Sequence, residues 1–215
     1  MFSDKMPDGT PMTRAYAEKR IRWEPLHEMS QIKGDEETHP LLSPDDEFAD
    51  FETWDVGNLG GTAAKEDWML QYEYARSALK LGLKLGRELG VNPYKFGLNA
   101  TTDTHTALPT SREENYFGKY QHTEPSPERH NREVIPADDP ALRIMTSQES
   151  AAGLTAVWAR ENSREAIFDA LTRKEVYATT GTRIRVRVFA GWDFEAQEIS
   201  RHDLAERGYA GGVPM

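Results

Sequence analysis

The chain has 215 residues, 38% of them hydrophobic, which is enough for one sizeable core or two small ones. Its formal net charge of -10 argues against binding to nucleic acid or an anionic membrane through a general positive surface, and the absence of cysteine excludes disulfides, thiolate catalysis and Cys-ligated metals. No apolar run is long enough to span a membrane, and the first ten residues lack the apolar segment of a signal peptide. The sequence does not determine the compartment, and periplasmic and secreted locations stay open.

The first hundred residues alternate between predicted helix, strand and loop. A good N-cap at Thr13 and a stop at Pro25 favour a first helix. A later stretch holds nine acidic residues and no Lys or Arg, and loops of this length in compact domains are usually functional or disordered. In chain order, the predicted elements are a helix over 13–23, a strand over 26–34, the acidic loop over 35–64, a helix over 66–89 and a strand over 95–103.

The helix predicted over 66–89 carries a stripe of residues three and four positions apart, which is typical of a face packed against a core. Gly82 and Gly86 on that stripe predict close approach by a neighbouring segment, and Gly90 predicts the helix end. The stripe consists of Trp68, Tyr72, Ala75, Leu79, Gly82, Gly86 and Leu89.

The second half of the chain begins with another long loop, rich in Pro and His, over 106–147. Strands are predicted over 153–159 and 176–181, and a capping-box pattern predicts a helix over 162–171 between them. Alternation of arginine with apolar residues over 183–189 predicts a half-exposed strand.

Asp103 and His105 stand at the end of the strand predicted over 95–103, two positions apart, so both side chains can point to the same side. A carboxylate and an imidazole held together are good ligands for a transition metal. The same pattern occurs in ordinary turns, where Asp and Thr are common, so Asp103-Thr104-His105 alone leaves both interpretations open.

Longer stretches, in consistent order along nearly the whole chain, resemble one family: "RWEPLHEMSQIKGDEETHPLLSPDDEFADFE", "GVNPYKFGLNATTDTHTAL", "NYFGK", "PSPER" and "GLTAVWARENSREAIFDALTRKEVYATTGTRIRVRVFAGWDF". They resemble the domain-of-unknown-function family 3604, which is similar to the polymerase and histidinol phosphatase (PHP) metal-dependent hydrolases. The resemblance implies an α/β fold, with part of a distorted PHP-like (TIM-like) barrel over 1–180, both long loops included, and the start of a β-rich C-terminal region over 181–215. Family members are longer and carry an early His-x-His metal motif, which is absent here, so the chain is expected to be a fragment, truncated at both ends.

The same resemblance implies a metal-dependent hydrolase of phosphate or sulfate esters, with a small-molecule ester as substrate and a metal-bound hydroxide as nucleophile. Asp103 and His105 match the late Asp-x-His motif of PHP-like sites, which favours metal ligation over a plain turn. Glu28 is a further candidate ligand, with a surface position as the equal alternative. Lys33 and His39 are the candidate catalytic residues, Lys33 for stabilising an oxyanion and His39 for proton transfer or metal ligation. The implied cofactors are divalent zinc, manganese or iron ions, their identity and number open.

A second hypothesis comes from another class: a non-catalytic barrel remnant or binding module without a complete metal site. The full-length protein is expected to be an enzyme, whereas this chain, lacking the His-x-His ligands, is expected to be inactive. The sequence favours surface or supporting positions for the remaining polar candidates, which are His27, Glu37, His122, His130, Arg183, Arg185 and Arg187.

Overall fold

The computed structural model describes the chain except for residues 113, 115–117, 121–125 and 151–152. His122 and parts of the loop predicted over 106–147 therefore lie outside the described residues. The α-helices are α1 (Arg14–Trp23), α2 (Asp67–Leu70), α3 (Ala75–Leu89), α4 (Arg164–Arg173) and α5 (Leu204–Gly211). The strands are β1 (Leu26–Glu28), β2 (Ser30–Gln31), β3 (Gly34–Asp35), β4 (Gly97–Asn99), β5 (Glu133–Ile135), β6 (Ile144–Met145), β7 (Leu154–Val157), β8 (Val176–Thr179), β9 (Phe189–Ala190) and β10 (Val213–Pro214). Within this described part, no helix is long and apolar enough to cross a membrane.

Helix α1 begins where the sequence predicts, because the Thr13 hydroxyl accepts a hydrogen bond from the Tyr16 N–H at 3.3 Å. The helix predicted over 66–89 is interrupted and forms α2 and α3. Helix α3 ends at Gly90, whose φ of 76° is left-handed, as the glycine predicts.

Gly82 allows the segment that follows α3 to pack against the helix. A Cβ at this position would lie 2.3 Å from Asn92 Oδ1 and 3.0 Å from Tyr94 Cβ, so the predicted close approach is present. The approach buries Tyr94 in the main apolar core. That core consists of Phe2, Met12, Ala17, Ala78, Leu85 and Tyr94.

The stripe predicted on this helix is wrong at two of its positions. Trp68 and Leu79 are 58% and 38% exposed, whereas Ala78 and Leu85 are buried on the same helix. The break between α2 and α3 removes Trp68 from the helical register on which the stripe was counted. Leu79 lies within α3, whose buried face runs through Ala75, Ala78, Gly82 and Leu85 instead.

Strand β4 lies between two other strands at the centre of the molecule. It pairs in parallel with β1, where Glu28 stands opposite Asn99. On its other side it packs against β8, and a Cβ at Gly97 would lie 2.9 Å from both Leu26 Cδ2 and Val176 Cγ1. Strand β8 in turn pairs antiparallel with β7. The segment that leaves β4 therefore emerges between two supporting strands.

The predicted portion of a TIM-like barrel is wrong, because the described strands form separate two-stranded sheets and do not close. A barrel needs a continuous ring of strands, each hydrogen-bonded on both sides. The run predicted as one strand over 26–34 illustrates the cause, since it forms β1 and then the antiparallel hairpin of β2 and β3. Gly34 makes that hairpin possible, because its φ is 101° and a Cβ there would lie 2.3 Å from the Glu52 carbonyl oxygen.

The C-terminal segment over 181–215 contains more than the predicted β structure. Among its described residues, only Phe189–Ala190 and Val213–Pro214 pair as strands, and α5 lies between them. The alternating run over 183–188 joins no ladder, because its Ile184 carbonyl and Val186 N–H bond instead to the Tyr177 hydroxyl, at 2.8 and 3.1 Å. The division of the chain near residue 180 stays a prediction.

Candidate functional site

The segment that follows β4 is fixed by hydrogen bonds to two neighbouring strands. The Thr155 hydroxyl on β7 donates to the Ala100 carbonyl at 2.6 Å, and the Thr101 N–H donates to the Ser30 carbonyl at 3.1 Å. Gly153 packs directly against Thr101, and a Cβ at residue 153 would lie 1.7 Å from the Thr101 carbonyl oxygen. These contacts leave little freedom in the chain that leads to Asp103.

Asp103 is the centre of a cluster of charged side chains. Lys33, in the hairpin of β2 and β3, bonds to Oδ2 of Asp103, and Lys119 Nζ lies 2.6 Å from the same oxygen. Lys119 also donates to the Asp103 carbonyl oxygen at 2.9 Å. Asp103 itself has a left-handed φ of 50°, a conformation that Asp tolerates better than most residues.

The two ammonium groups set the protonation state of the cluster. Burial raises the pKa of Asp103, but the hydrogen bonds and charges of Lys119 and Lys33 outweigh it and lower that pKa to about 2. One carboxylate balances one positive charge, and burial together with the Lys119 charge lowers the pKa of Lys33. The cluster therefore carries an excess of positive charge over its single carboxylate.

His105 completes the cluster from the solvent side. Its Nε2 lies 3.2 Å from Asp103 Oδ1 and 3.3 Å from Lys119 Nζ, and its side chain is 51% exposed. A neutral ring with a free Nε2 accepts from Lys119, whereas a protonated Nε2 donates to Asp103. His105 can therefore change partners without moving.

Lys119 was not among the residues predicted from the sequence. Its position depends on backbone pairing, since the His105 N–H donates to the Lys119 carbonyl at 2.7 Å and Tyr120 forms a parallel bridge to His105. The Lys119 side chain is 4% exposed. The signal available in the sequence was a lysine directly after Gly118, within a stretch that resembles the family, but nothing local connects that lysine to Asp103.

Glu28 stands at the end of β1, beside the cluster but not in it. The Thr101 hydroxyl donates to Glu28 Oε1, and Gln31 Nε2 lies 3.4 Å from Oε2. Gln31 in turn accepts from the Lys33 N–H at 3.3 Å. Across the residues that the structure describes, no group of three or more His, Asp or Glu side chains is placed to hold a metal ion.

His39 belongs to a different cluster, in the acidic loop. Its Nε2 lies 2.9 Å from Asp55 Oδ2, and its Nδ1 accepts the Leu41 N–H at 3.2 Å. The ring contacts Tyr74 at 5.5 Å between centroids, and the side chain is 9% exposed. Both ring nitrogens are thus engaged in bonds that hold the loop.

Three of the other polar candidates, Glu37, His27 and Arg187, make contacts that do not involve Asp103. Glu37 accepts from Arg76 Nη2 at 2.6 Å, and the His27 ring packs in the aromatic cluster at 4.9 Å from Phe2. Arg187 stacks 4.4 Å from the Trp158 ring in the C-terminal segment. These contacts give each of them a role in holding the fold.

Comparison with known proteins gives one result. No curated protein and no solved structure matches the chain. The family model described as "Protein of unknown function (DUF3604)" matches residues 1–215. This match spans the acidic loop, the Asp103 cluster and the C-terminal segment alike, and the chain therefore belongs to the DUF3604 family.

Proposed function

We propose that the Asp103 cluster is the ester-binding site of a hydrolase that acts on phosphate or sulfate esters. The observation that carries the proposal is the convergence of Lys33, Lys119 and His105 on one carboxylate. Two ammonium groups and a half-exposed imidazole suit the charged oxygens of a phosphoryl or sulfuryl group. Such a local excess of positive charge is what an anionic substrate needs on a chain whose net charge is -10.

The resemblance to PHP-like hydrolases adds a divalent metal to the proposal, and the donor pair fits one. Two donors that each lie about 2.1 Å from one ion are separated by about 3.0–3.4 Å at octahedral or tetrahedral angles. Asp103 Oδ1 and His105 Nε2 are 3.2 Å apart. Catalytic zinc sites use three protein ligands; Glu28 is the proposed third, although in this structure it bonds to Thr101 and Gln31 and would have to turn towards the ion. When bound, zinc, manganese or iron supplies a Lewis acid and lowers the pKa of water.

The lysines have separate tasks in this proposal. Lys119 is buried and bonds to both the carboxylate and the carbonyl oxygen of Asp103, so it orients that residue. Lys33 is more exposed and sits in a hairpin, so its ammonium group is the one to bind a non-bridging oxygen of the ester. His39 is left out, because both of its ring nitrogens are already bonded.

A binding module without catalysis is the second candidate. The observation in its favour is that the described residues around Asp103 supply two metal donors and no group of three. Such a module would bind inorganic phosphate or sulfate and leave esters intact.

The experiment compares two exposed histidines. Hydrolysis of a panel of phosphate and sulfate monoesters with added zinc or manganese is measured in the full-length protein for the wild type, His105→Ala and the control His130→Ala. We expect His105→Ala to lower the rate about 100-fold or more and His130→Ala to leave it unchanged. Calorimetric titration with zinc alone should show weaker binding for His105→Ala only.

Two results would count against the hydrolase. Equal rates in the two variants would remove His105 from the site. Phosphate binding by the wild type without turnover of any ester would favour the binding module.

A further inference from the structure

A cavity of about 400 Å³ opens beside Lys33, on the side away from β4. Its walls come from the hairpin of β2 and β3, the acidic loop, and the strands β5 and β6. The lining side chains that matter below are Lys33, Asp35, Trp54, Val56, Ile135 and Ile144. The two stretches that look like long loops in the sequence thus meet across one cavity.

Part of the cavity lining is apolar, and its side chains are held by the surrounding structure. Ile135 and Ile144 are 6% and 5% exposed. The Trp54 indole is fixed through Nε1, which donates to the Gln148 carbonyl at 3.0 Å, and Lys65 Nζ holds the Trp54 carbonyl at 3.0 Å. A preformed apolar wall binds a ring without a large ordering cost.

Asp35 and Lys33 supply polar groups to the cavity lining. Asp35 Oδ2 accepts the Glu37 N–H at 3.0 Å, and the carboxyl group also hydrogen-bonds to the Thr38 backbone. Burial raises the pKa of Asp35 to about 7, although the backbone hydrogen bonds act in the opposite direction. At neutral pH a large share of the carboxyl groups is therefore protonated and can donate a hydrogen bond to a ligand oxygen. The lining is therefore mixed: it also carries Glu36, Lys65 and Glu73, so it offers polar groups to an oxygen and the Trp54, Val56, Ile135 and Ile144 side chains to a hydrocarbon.

Lys33 connects this cavity to the Asp103 cluster, because its side chain lines the cavity and its ammonium group bonds to Asp103. A molecule with its anionic group at Lys33 would have its remaining part in the cavity. We propose that the cavity holds the alcohol part of the ester and that the preferred substrates are phosphate or sulfate esters of an aromatic alcohol. The inference rests on the function proposed above for the anionic end.

The test uses 2-naphthol as the probe for the cavity and two valines as sites of substitution. Val56 lines the cavity and is 42% exposed, so Val56→Trp should fill the cavity without disturbing the core. Val213→Trp is the matched control, since Val213 is 68% exposed on β10, away from the cavity. Thermal unfolding checks that both variants fold.

We expect 2-naphthol to bind the wild type and Val213→Trp in calorimetric titration, and Val56→Trp to bind it at least about 10-fold more weakly. The kcat/KM for 2-naphthyl phosphate should fall by a similar factor in Val56→Trp, whereas that for methyl phosphate should not change. Absence of naphthol binding to the wild type, or equal binding by both variants, would overturn the assignment.

The two proposals fail in different ways. Naphthol binding that Val56→Trp weakens, with no ester hydrolysed by any protein, would keep the cavity as an aromatic-binding site and remove the hydrolase. Equal kcat/KM of the wild type for the naphthyl and methyl esters would keep the hydrolase and overturn the assignment of the cavity.

Discussion

Two pairs of Asp and His side chains are hydrogen-bonded within the part of the chain that the structure describes, and they differ in exposure. His39 and Asp55 are 2.9 Å apart, with a histidine that is 9% exposed and bonded through both ring nitrogens. Asp103 and His105 are 3.2 Å apart, with a histidine that is 51% exposed. In the first pair both ring nitrogens are bonded, whereas in the second the His105 Nε2 faces both Asp103 Oδ1 and Lys119 Nζ and can bond to only one of them in each protonation state.

The difference follows from where the partners lie in the chain. His39 and Asp55 are at opposite ends of the acidic loop, so their contact closes the loop and stabilises it. Asp103 and His105 are two positions apart, so their contact closes nothing. Proximity of Asp to His thus does not by itself distinguish the two pairs; the exposure and the alternative partners of the histidine do.

The largest expected effect on stability separates the two carboxylates. Asp103→Asn should lower the free energy of unfolding by about 4 kcal/mol, because it leaves the buried Lys119 ammonium without a counter-charge. Asp55→Asn should cost about 1 kcal/mol, since an amide oxygen can still accept from His39. Urea unfolding at pH 7 measures both. Equal losses would mean that the Asp103 cluster does not bear on stability.

The next effect comes from Asp35, a carboxyl that lies near the His39 pair. Its pKa is raised to about 7 by burial, so the stability it contributes is present below about pH 4 and is lost as the pH rises through 7. Asp35→Asn should therefore stabilise the chain by about 3 kcal/mol at pH 8, allowing for partial exposure, and have little effect at pH 4. Asp103, whose pKa is lowered, contributes with the opposite sign, and its contribution is lost as the pH falls towards 2. Unfolding curves at pH 4 and pH 8 decide the matter, and equal shifts at the two values would contradict it.

The third effect tests whether the His39 pair is structural. His39→Ala removes the partner of Asp55 and of the Leu41 N–H from a buried position, and it should cost about 2 kcal/mol. Backbone amides in the acidic loop should exchange with solvent faster in the variant. A variant as stable as the wild type, with unchanged exchange, would show that the pair does not hold the loop.

The smallest effect is expected at the other histidine. His105→Ala should change the free energy of unfolding by less than about 0.5 kcal/mol, because the ring is half-exposed and fills no core space. The same variant is the one expected to lose zinc binding and ester hydrolysis. A loss of stability together with the loss of activity in His105→Ala would contradict the distinction between a structural pair, His39 and Asp55, and a pair that is not needed for stability.

Local features of the fold could be predicted from the sequence. Thr13 caps α1 and Gly90 ends α3, because each acts through hydrogen bonds or backbone angles within a few residues. Asp103 and His105 lie side by side as predicted, but not through strand alternation, because β4 ends at Asn99 and Asp103 has a left-handed φ of 50°.

The strand pairing and one of the four residues of the charged cluster, Lys119, could not be predicted. Strands of two to four residues carry too little periodicity to indicate their partners, and the expected barrel fails at this step. Lys119 reaches Asp103 only because its backbone pairs with His105 across a stretch of loop, a contact between distant segments that no local pattern reports. The cluster residue that was missed, Lys119, is thus the one whose position is set by tertiary contacts.

The left-handed backbone at Asp103 has a consequence for evolution of the protein. A side chain in this conformation costs about 1 kcal/mol that glycine would not incur, so the backbone alone would favour Gly at this position. Only Asp also supplies the charge that Lys33 and Lys119 share. Backbone stability therefore favours glycine at residue 103, whereas the charged cluster requires Asp. If the proposed activity were lost in a lineage, substitution by glycine or asparagine at this position would be expected.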